Sequence, residues 1–197
     1  MKKIKAIGID YSLNSPAICI ASGDMSFKNC KFYYVSSKKK YIGKFDKNII
    51  GSEYKEWTDP IVRFNNLAEW ALVSIRSYGD MNLFDGNQTV HIEGYSYGSK
   101  GQAVFQIAEN CGILKSYLLS KKLKYETVVP SIVKKFATDK GNANKELMYE
   151  QFCKDTKTDL MKKFDMQTLS NPITDIVDSY YIMKCGYESI KSKSKSS

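Results

Sequence analysis

Four carboxylates could carry the chemistry of this chain. Asp10 closes the apolar run Ala6-Ile7-Gly8-Ile9, Glu93 closes Val90-His91-Ile92, and Asp175 and Asp178 stand three apart in a late apolar segment. A carboxylate at the end of a buried strand is costly to desolvate unless it is paired or bound to a cation. Two acids three apart on a helix project from one face, so two strand ends and a helix face can converge on one cleft. Such a set repels itself, and hard oxygen ligands suit Mg²⁺ or Mn²⁺. Two ions held side by side would activate a water for in-line attack on phosphorus and stabilise the leaving oxygen, with no cysteine or histidine nucleophile required. Taken singly, each acid is more readily a turn, a cap or a solvated face. Their weight comes from their order within the surrounding strands and helices.

The elements that must position them follow from periodicity. Ile4 to Asp10, Ala17 to Ala21 and Lys31 to Val35 read as three strands of an antiparallel meander, with Asn14-Ser15-Pro16 as turn residues. Residues 36–59 are lysine-rich and show no clear period, and read as a surface excursion that could include a small hairpin. Pro60 opens an amphipathic helix ending by Gly79, Thr89 to Glu93 is a strand, and Gln102 to Leu119 is a helix apolar on more than one face. Tyr125 to Val129 is a further strand, Pro130 opens a short helix through Phe136, and Lys145 to Phe152 belongs to another. Asn171 as N-cap and Pro172 as first helical residue start the last helix, which buries Ile173, Ile176, Val177, Tyr180 and Ile182. A meander followed by alternating strand and helix is an α/β domain with a mixed sheet. It spans residues 1–188, and 189–197, alternating Lys and Ser, read as a disordered tail.

At 197 residues the chain can bury a substantial core without disulfides or structural metal. Its five cysteines show no paired C-x-x-C spacing, which implies a reducing, intracellular compartment. No stretch is apolar for long enough to cross a bilayer, and no membrane partner or organic cofactor is expected. The formal net charge is +9, the footprint of a protein that meets a polyanion. Arg63 and Arg76 are the only arginines among 30 basic residues. Lysine acts as a point charge on phosphate while arginine reads guanine edges, so the balance favours recognition of backbone and shape. Lysine excess with abundant Asn, Ile and Tyr also fits an A+T-rich genome such as many viruses have.

Further candidates surround the acids. Gly94-Tyr95-Ser96-Tyr97-Gly98-Ser99-Lys100-Gly101 follows Glu93, and Tyr95 or Tyr97 could stack on an unpaired base without regard to its identity, with Lys100 as a DNA contact. Lys134 and Lys135 follow Val133, and Lys145 follows a Gly-Asn-Ala-Asn loop that enters a helix, where backbone amides favour phosphate. His91 shares a strand face with Glu93 and reads as a half-buried strand residue outside the site.

Together these segments resemble the RuvC-type Holliday junction resolvases of the ribonuclease H-like superfamily. Gly8-Ile9-Asp10-Tyr11-Ser12 is similar to that family's first motif, Ile92-Glu93-Gly94-Tyr95 to its second and Asp175-Ile176-Val177-Asp178-Ser179 to its fourth. The strongest match is Val129-Pro130-Ser131-Ile132-Val133-Lys134-Lys135-Phe136 with Gly141-Asn142-Ala143-Asn144-Lys145-Glu146. The resemblance implies a ribonuclease H-like mixed five-stranded sheet flanked by helices, and a homodimer built around the long central helix. It also implies a Mg²⁺-dependent crossover junction endodeoxyribonuclease that resolves four-way DNA junctions by paired nicks, as in recombination and repair. Asp10, Glu93, Asp175 and Asp178 would hold two Mg²⁺ ions, replaceable by Mn²⁺, and Lys135 and Lys145 would contact phosphate, with Lys145 counted among the catalytic residues. Two features depart from the bacterial pattern: the longer excursion at 36–59, and Tyr11-Ser12-Leu13-Asn14 where Pro-Gly is usual. Length and lysine bias look more like phage or viral members, which would act in the host cytoplasm.

Other readings stay open. The same metal site could serve other branched DNA or an RNA–DNA hybrid, since fold alone does not fix substrate. A junction-binding protein that cuts nothing is a third possibility, although such a binder gains nothing from acids that repel phosphate. An actin-like ATPase shares the Gly-x-Asp strand but needs two such domains, for which the chain is too short.

Overall fold

The structure, a computed structural model, describes residues 4–78, 89–95 and 102–193. Strands β1 (Ile4–Asp10), β2 (Ala17–Ser22) and β3 (Cys30–Ser36) form the antiparallel meander, and β6 (Thr89–Glu93) and β7 (Lys124–Val128) add to the other side of β1 in parallel. Among the described residues the sheet has seven strands rather than the expected five. The additional pair, β4 (Gly43–Asp46) and β5 (Ile49–Glu53), comes from the 36–59 excursion as an antiparallel hairpin whose second strand pairs in parallel with β3. The strand order is β4-β5-β3-β2-β1-β6-β7. The hairpin covers what would otherwise be an open edge at β3.

A small helix explains why this hairpin stays in place. Helix α5 (Leu160–Phe164), which has too few residues to show a period in the sequence, stacks Phe164 on Phe45 with ring centroids 4.5 Å apart. Tyr34 and Tyr41 meet Phe164 edge-on, and Lys163 Nζ pairs with Asp46 Oδ2 at 2.7 Å.

Two apolar layers sandwich the sheet, sorted by the two-residue period of the strands. Ile7 and Ile9 of β1, Ile18 and Ile20 of β2, and Val90 and Ile92 of β6 pack beneath α1 (Pro60–Ser77) and α2 (Gln102–Ser120). Ala6 of β1, Ala17, Cys19 and Ala21 of β2, and Phe32 and Tyr34 of β3 pack beneath α6 (Ile173–Lys193), with α3 (Pro130–Thr138) and α4 (Lys145–Thr156) laid against it.

Side chains cap the starts of α1 and α4. Asp59 accepts from Ile61 N and Val62 N with Pro60 in the first turn of α1, and Asn144 accepts from Leu147 N at 2.9 Å to open α4. The start of α6 differs from expectation. Asn171 and Pro172, joined by a cis peptide, form a turn that precedes the helix, and Asn171 Oδ1 accepts from Thr174 Oγ1 at 2.7 Å instead of capping a backbone amide. At the other end α6 continues through Lys193, beyond Ser189 where the sequence suggested that order ends. All five cysteines are free thiols, and no described helix is long and apolar enough to cross a membrane.

Candidate active site

Strand alternation and one close approach bring the four acids together. Asp10 has the same parity as Ala6 and Gly8, and Glu93 the same as His91, so both side chains project to the α6 side of the sheet. Helix α6 lies directly on the strands there because Gly8 and Gly186 leave room. A Cβ at Gly8 would collide with the backbone of Ser179 and Met183, and one at Gly186 would collide with the His91 ring. That contact sets Asp178, one turn before the Gly8 crossing, beside the ends of β1 and β6.

The electrostatics follow from this proximity. Asp10 is buried and its pKa is raised well above the usual carboxylate range, first by loss of solvent and then by Asp178, Asp175 and Glu93, while Lys145 opposes the shift. Glu93 is pushed up to about 7 by burial and by Asp178, against Lys134. Asp175 is pushed up to about 7 chiefly by burial, with Asp178 adding to it and Ser15, Lys145 and Thr174 opposing. Burial pushes Asp178 up to about 6 against Lys145 and Lys134. Each acid therefore acts on at least one other, and two lysines face the set.

These groups border a cleft of about 430 Å³. Asp10, Glu93 and Asp178 line it, with Lys134 on α3 and Asn144 and Lys145 at the start of α4. Asp175 lies behind this front, buried, with Oδ2 lacking a hydrogen-bond partner among the described residues. The donor set, four carboxylates of which one keeps an unsatisfied buried oxygen, fits hard divalent cations. As placed, no group of three or more His, Cys, Asp or Glu side chains among the described residues is arranged to hold an ion, so shared ligation requires the side chains to move closer.

The remaining expected residues divide. Tyr95 stands at the cleft wall with 44% of its surface exposed and Lys115 Nζ 5.4 Å from its ring centroid. Lys135 is exposed on α3 and does not line the cleft, unlike its neighbour Lys134. Tyr97 and Lys100 lie outside the described residues. His91 is fully buried against Gly186, below the site, rather than half-buried.

Sequence reasoning missed a polar network behind Asp175. Asn171 Nδ2 donates to Ser15 Oγ at 2.6 Å, Ser12 and Ser15 hydroxyls lie 3.3 Å apart, and Thr174 Oγ1 reaches both Asn171 Oδ1 and, at 3.4 Å, Asp175 Oδ1. Ser15 stands beside the Asp175 carboxyl without hydrogen-bonding Oδ2. Ser15 thus ties the β1–β2 loop to the start of α6. Tyr11, which follows Asp10, lines the cleft and buries its hydroxyl without a hydrogen-bond partner among the described residues.

The strand order β3-β2-β1-β6-β7, with β1 between an antiparallel meander and two parallel strands, is the ribonuclease H-like α/β fold. No protein-family model and no curated protein sequence matches the chain. Among solved structures it is similar to Thermus thermophilus RuvC, with a TM-score of 0.57 and 10% identity over 94% of this chain and 95% of that one. The same holds for T. thermophilus RuvC in complex with Holliday junction substrate, at 0.57 and 9% over 94% of each chain. The yeast mitochondrial Holliday junction resolvase Ydc2 aligns at 0.56 and 12% over 98% of this chain and 81% of that one. At such identities the likeness establishes the fold.

Proposed function

We propose that this protein is a Mg²⁺-dependent endonuclease that resolves four-way DNA junctions by paired nicks. The observation that carries the reading is the convergence of Asp10, Glu93, Asp175 and Asp178, from two adjacent strands and the helix crossing them, on a cleft walled by Lys134 and Lys145. Mg²⁺ or Mn²⁺, two ions per site, would supply a Lewis acid and an activated water. Asp10, Glu93 and Asp178 would hold the ions from the cleft side and Asp175 from behind. Lys134 and Lys145 would draw the scissile phosphate down onto the acids and offset its charge. Tyr95 would stack on a base left unpaired where strands exchange.

Two symmetric cuts call for two active sites related by a twofold axis. A homodimer on the helix pair remote from α6 would cover Val73 on α1 and Phe105 and Leu119 on α2, which are 62%, 72% and 61% exposed. The RuvC complex is one with a Holliday junction, which supports branched DNA as the substrate.

The deciding experiment compares a four-way junction, a plain duplex and an RNA–DNA hybrid with Mg²⁺ or Mn²⁺. The expected result is junction cleavage at symmetric positions, abolished in D10N and E93Q while junction binding persists. Preferential cutting of the hybrid would reassign the substrate, binding without metal-dependent cleavage would make the protein a scaffold, and normal cutting by either variant would overturn the site.

A further inference from the structure

The 36–59 excursion leads into a second groove, and its walls contain the only two tryptophans in the chain. Trp57, in the segment joining β5 to α1, and Trp70, on α1, border a cavity of about 220 Å³ with Tyr54, Lys55 and Leu67. Both indoles are half-buried, and Trp70 packs at the margin of the apolar layer beneath α1 and α2. Trp70 Nε1 donates to Ser52 Oγ at 3.0 Å, which fixes its ring against β5. The groove is also joined to the acidic cleft. The Tyr54 hydroxyl meets Asn14 Oδ1 at 3.5 Å, and Asn14 belongs to the loop whose residues Tyr11, Ser12 and Leu13 line the cleft. The loop that lines the cleft therefore touches one wall residue of the groove.

The chemistry of the groove selects its occupant. Its volume is below the roughly 300–1,000 Å³ of pockets for drug-sized ligands and suits a single flat ring system. Glu53 and Lys55 at the rim offset each other, so the groove offers aromatic faces rather than a phosphate site. In a chain of net charge +9, next to a cleft walled by lysines, the flat group at hand is a base of the bound strand. Every base has a π face, so stacking there is indifferent to sequence.

We propose that the Trp57–Trp70 groove stacks an unpaired nucleobase of a DNA strand running out of the acidic cleft. The proposal rests on the DNA-processing reading above and extends it to how strands are held apart from the cut.

Because both tryptophans line the groove, the emission of the unmodified protein reports on it directly. The full chain is titrated, at constant ionic strength because phosphate contacts are salt-dependent, with an oligothymidylate and with a blunt duplex of equal length. Labelled-DNA anisotropy is read in parallel. The expected result is quenching that tracks anisotropy for the oligothymidylate and is weak or absent for the duplex. W57A weakens oligothymidylate binding about 5- to 100-fold, and W57F, which keeps a ring, retains most of it. Saturating anisotropy without an emission change, or W57A binding as tightly as the parent chain, overturns the groove assignment while leaving the nuclease reading intact. If neither DNA nor a four-way junction raises the anisotropy, both fall together.

Discussion

The two faces of β1 are built to different rules. On one side Ile7 and Ile9 enter an apolar layer with Leu67, Ala71, Leu114 and Leu118, all essentially free of solvent. On the other, three residues of the same strand, Ala6, Gly8 and Asp10, meet a helix that comes so close that Gly8 tolerates no side chain. There Asp10 is buried among like charges that raise its pKa. The first face is a source of stability. The second works against that stability, because burial and mutual repulsion disfavour the charged form of acids held together there. A single seven-residue strand thus carries both the scaffold and the site, separated by side-chain parity.

Perturbing each face in turn should give opposite signatures. Asp10→Asn removes one member of the repelling set, so the melting temperature without divalent ion should rise while metal-dependent cleavage falls by about a thousandfold or more, a loss of several kcal/mol of transition-state stabilisation. Leu114→Ala on the apolar face should do the reverse. Truncation of a fully buried leucine costs about 2–5 kcal/mol of stability, and cleavage per folded molecule should be retained. Thermal melts alongside single-turnover rates check both. If Asp10→Asn lowers the melting temperature, the acids are held by compensating partners and the contrast between the faces fails.

Gly8 tests the seam between the two. Gly8→Ala forces α6 outward, at a cost of about 1–3 kcal/mol from overpacking, and should also lower activity per folded molecule, because Asp178 moves away from Asp10. A variant that loses stability alone would show that the close approach serves packing and not the site.

Acidity sharpens the comparison further. Burial above all pushes Glu93 and Asp175 up to about 7 and Asp178 up to about 6 in the native state, against about 4.3 for Glu and 3.9 for Asp when unfolded. Between roughly pH 4 and 7 the native protein therefore binds more protons than the unfolded chain, and the stability these groups contribute at low pH is lost as pH rises through their native pKa values. The melting temperature without divalent ion should fall from pH 5 to pH 8. Added Mg²⁺ should restore it at pH 8 and have little effect at pH 5. Asp46 and Asp159, whose pKa values are lowered by hydrogen bonds, act at lower pH and do not mask the trend. A melting temperature that rises with pH across this window would refute the buried cluster.

How much of this was legible in the sequence follows the same division. The apolar layers are written in local periodicity, which is why β6 matches its expected range and α1 and α2 fall within two residues of theirs. The acids were legible because each closes an apolar run or shares a helix face. A hairpin within 36–59 was legible as an option, but its strand limits and its addition to the sheet were not, because the strands are short and owe their conformation to the β3 edge and to aromatic contacts with α5 more than 100 residues later. Nor was the retreat of Lys135 from the cleft, since adjacent lysines on α3 point in different directions and only the packing of Val133 decides which one faces inward.

The Ser15 network has the same long-range character, and it supplies the smallest expected effect. Ser15 and Asn171 are 156 positions apart and joined by a 2.6 Å hydrogen bond, so no local pattern marks them. Ser15→Ala removes that acceptor and the 3.3 Å hydroxyl contact with Ser12, while Ser15 N–H still donates to Ser12 Oγ, a loss of about 0.5–1.5 kcal/mol in stability. It also removes a group that opposes the upward shift of Asp175. If the network positions Asp175, the acid limb of the cleavage pH profile should move to higher pH, with activity reduced at pH 7 and recovered as pH rises, and Ser15→Thr, which keeps a hydroxyl, should restore the parent profile. A stability loss of the expected size with an unshifted profile would confine Ser15 to holding the loop, and Asp175 would then owe its place to α6 alone.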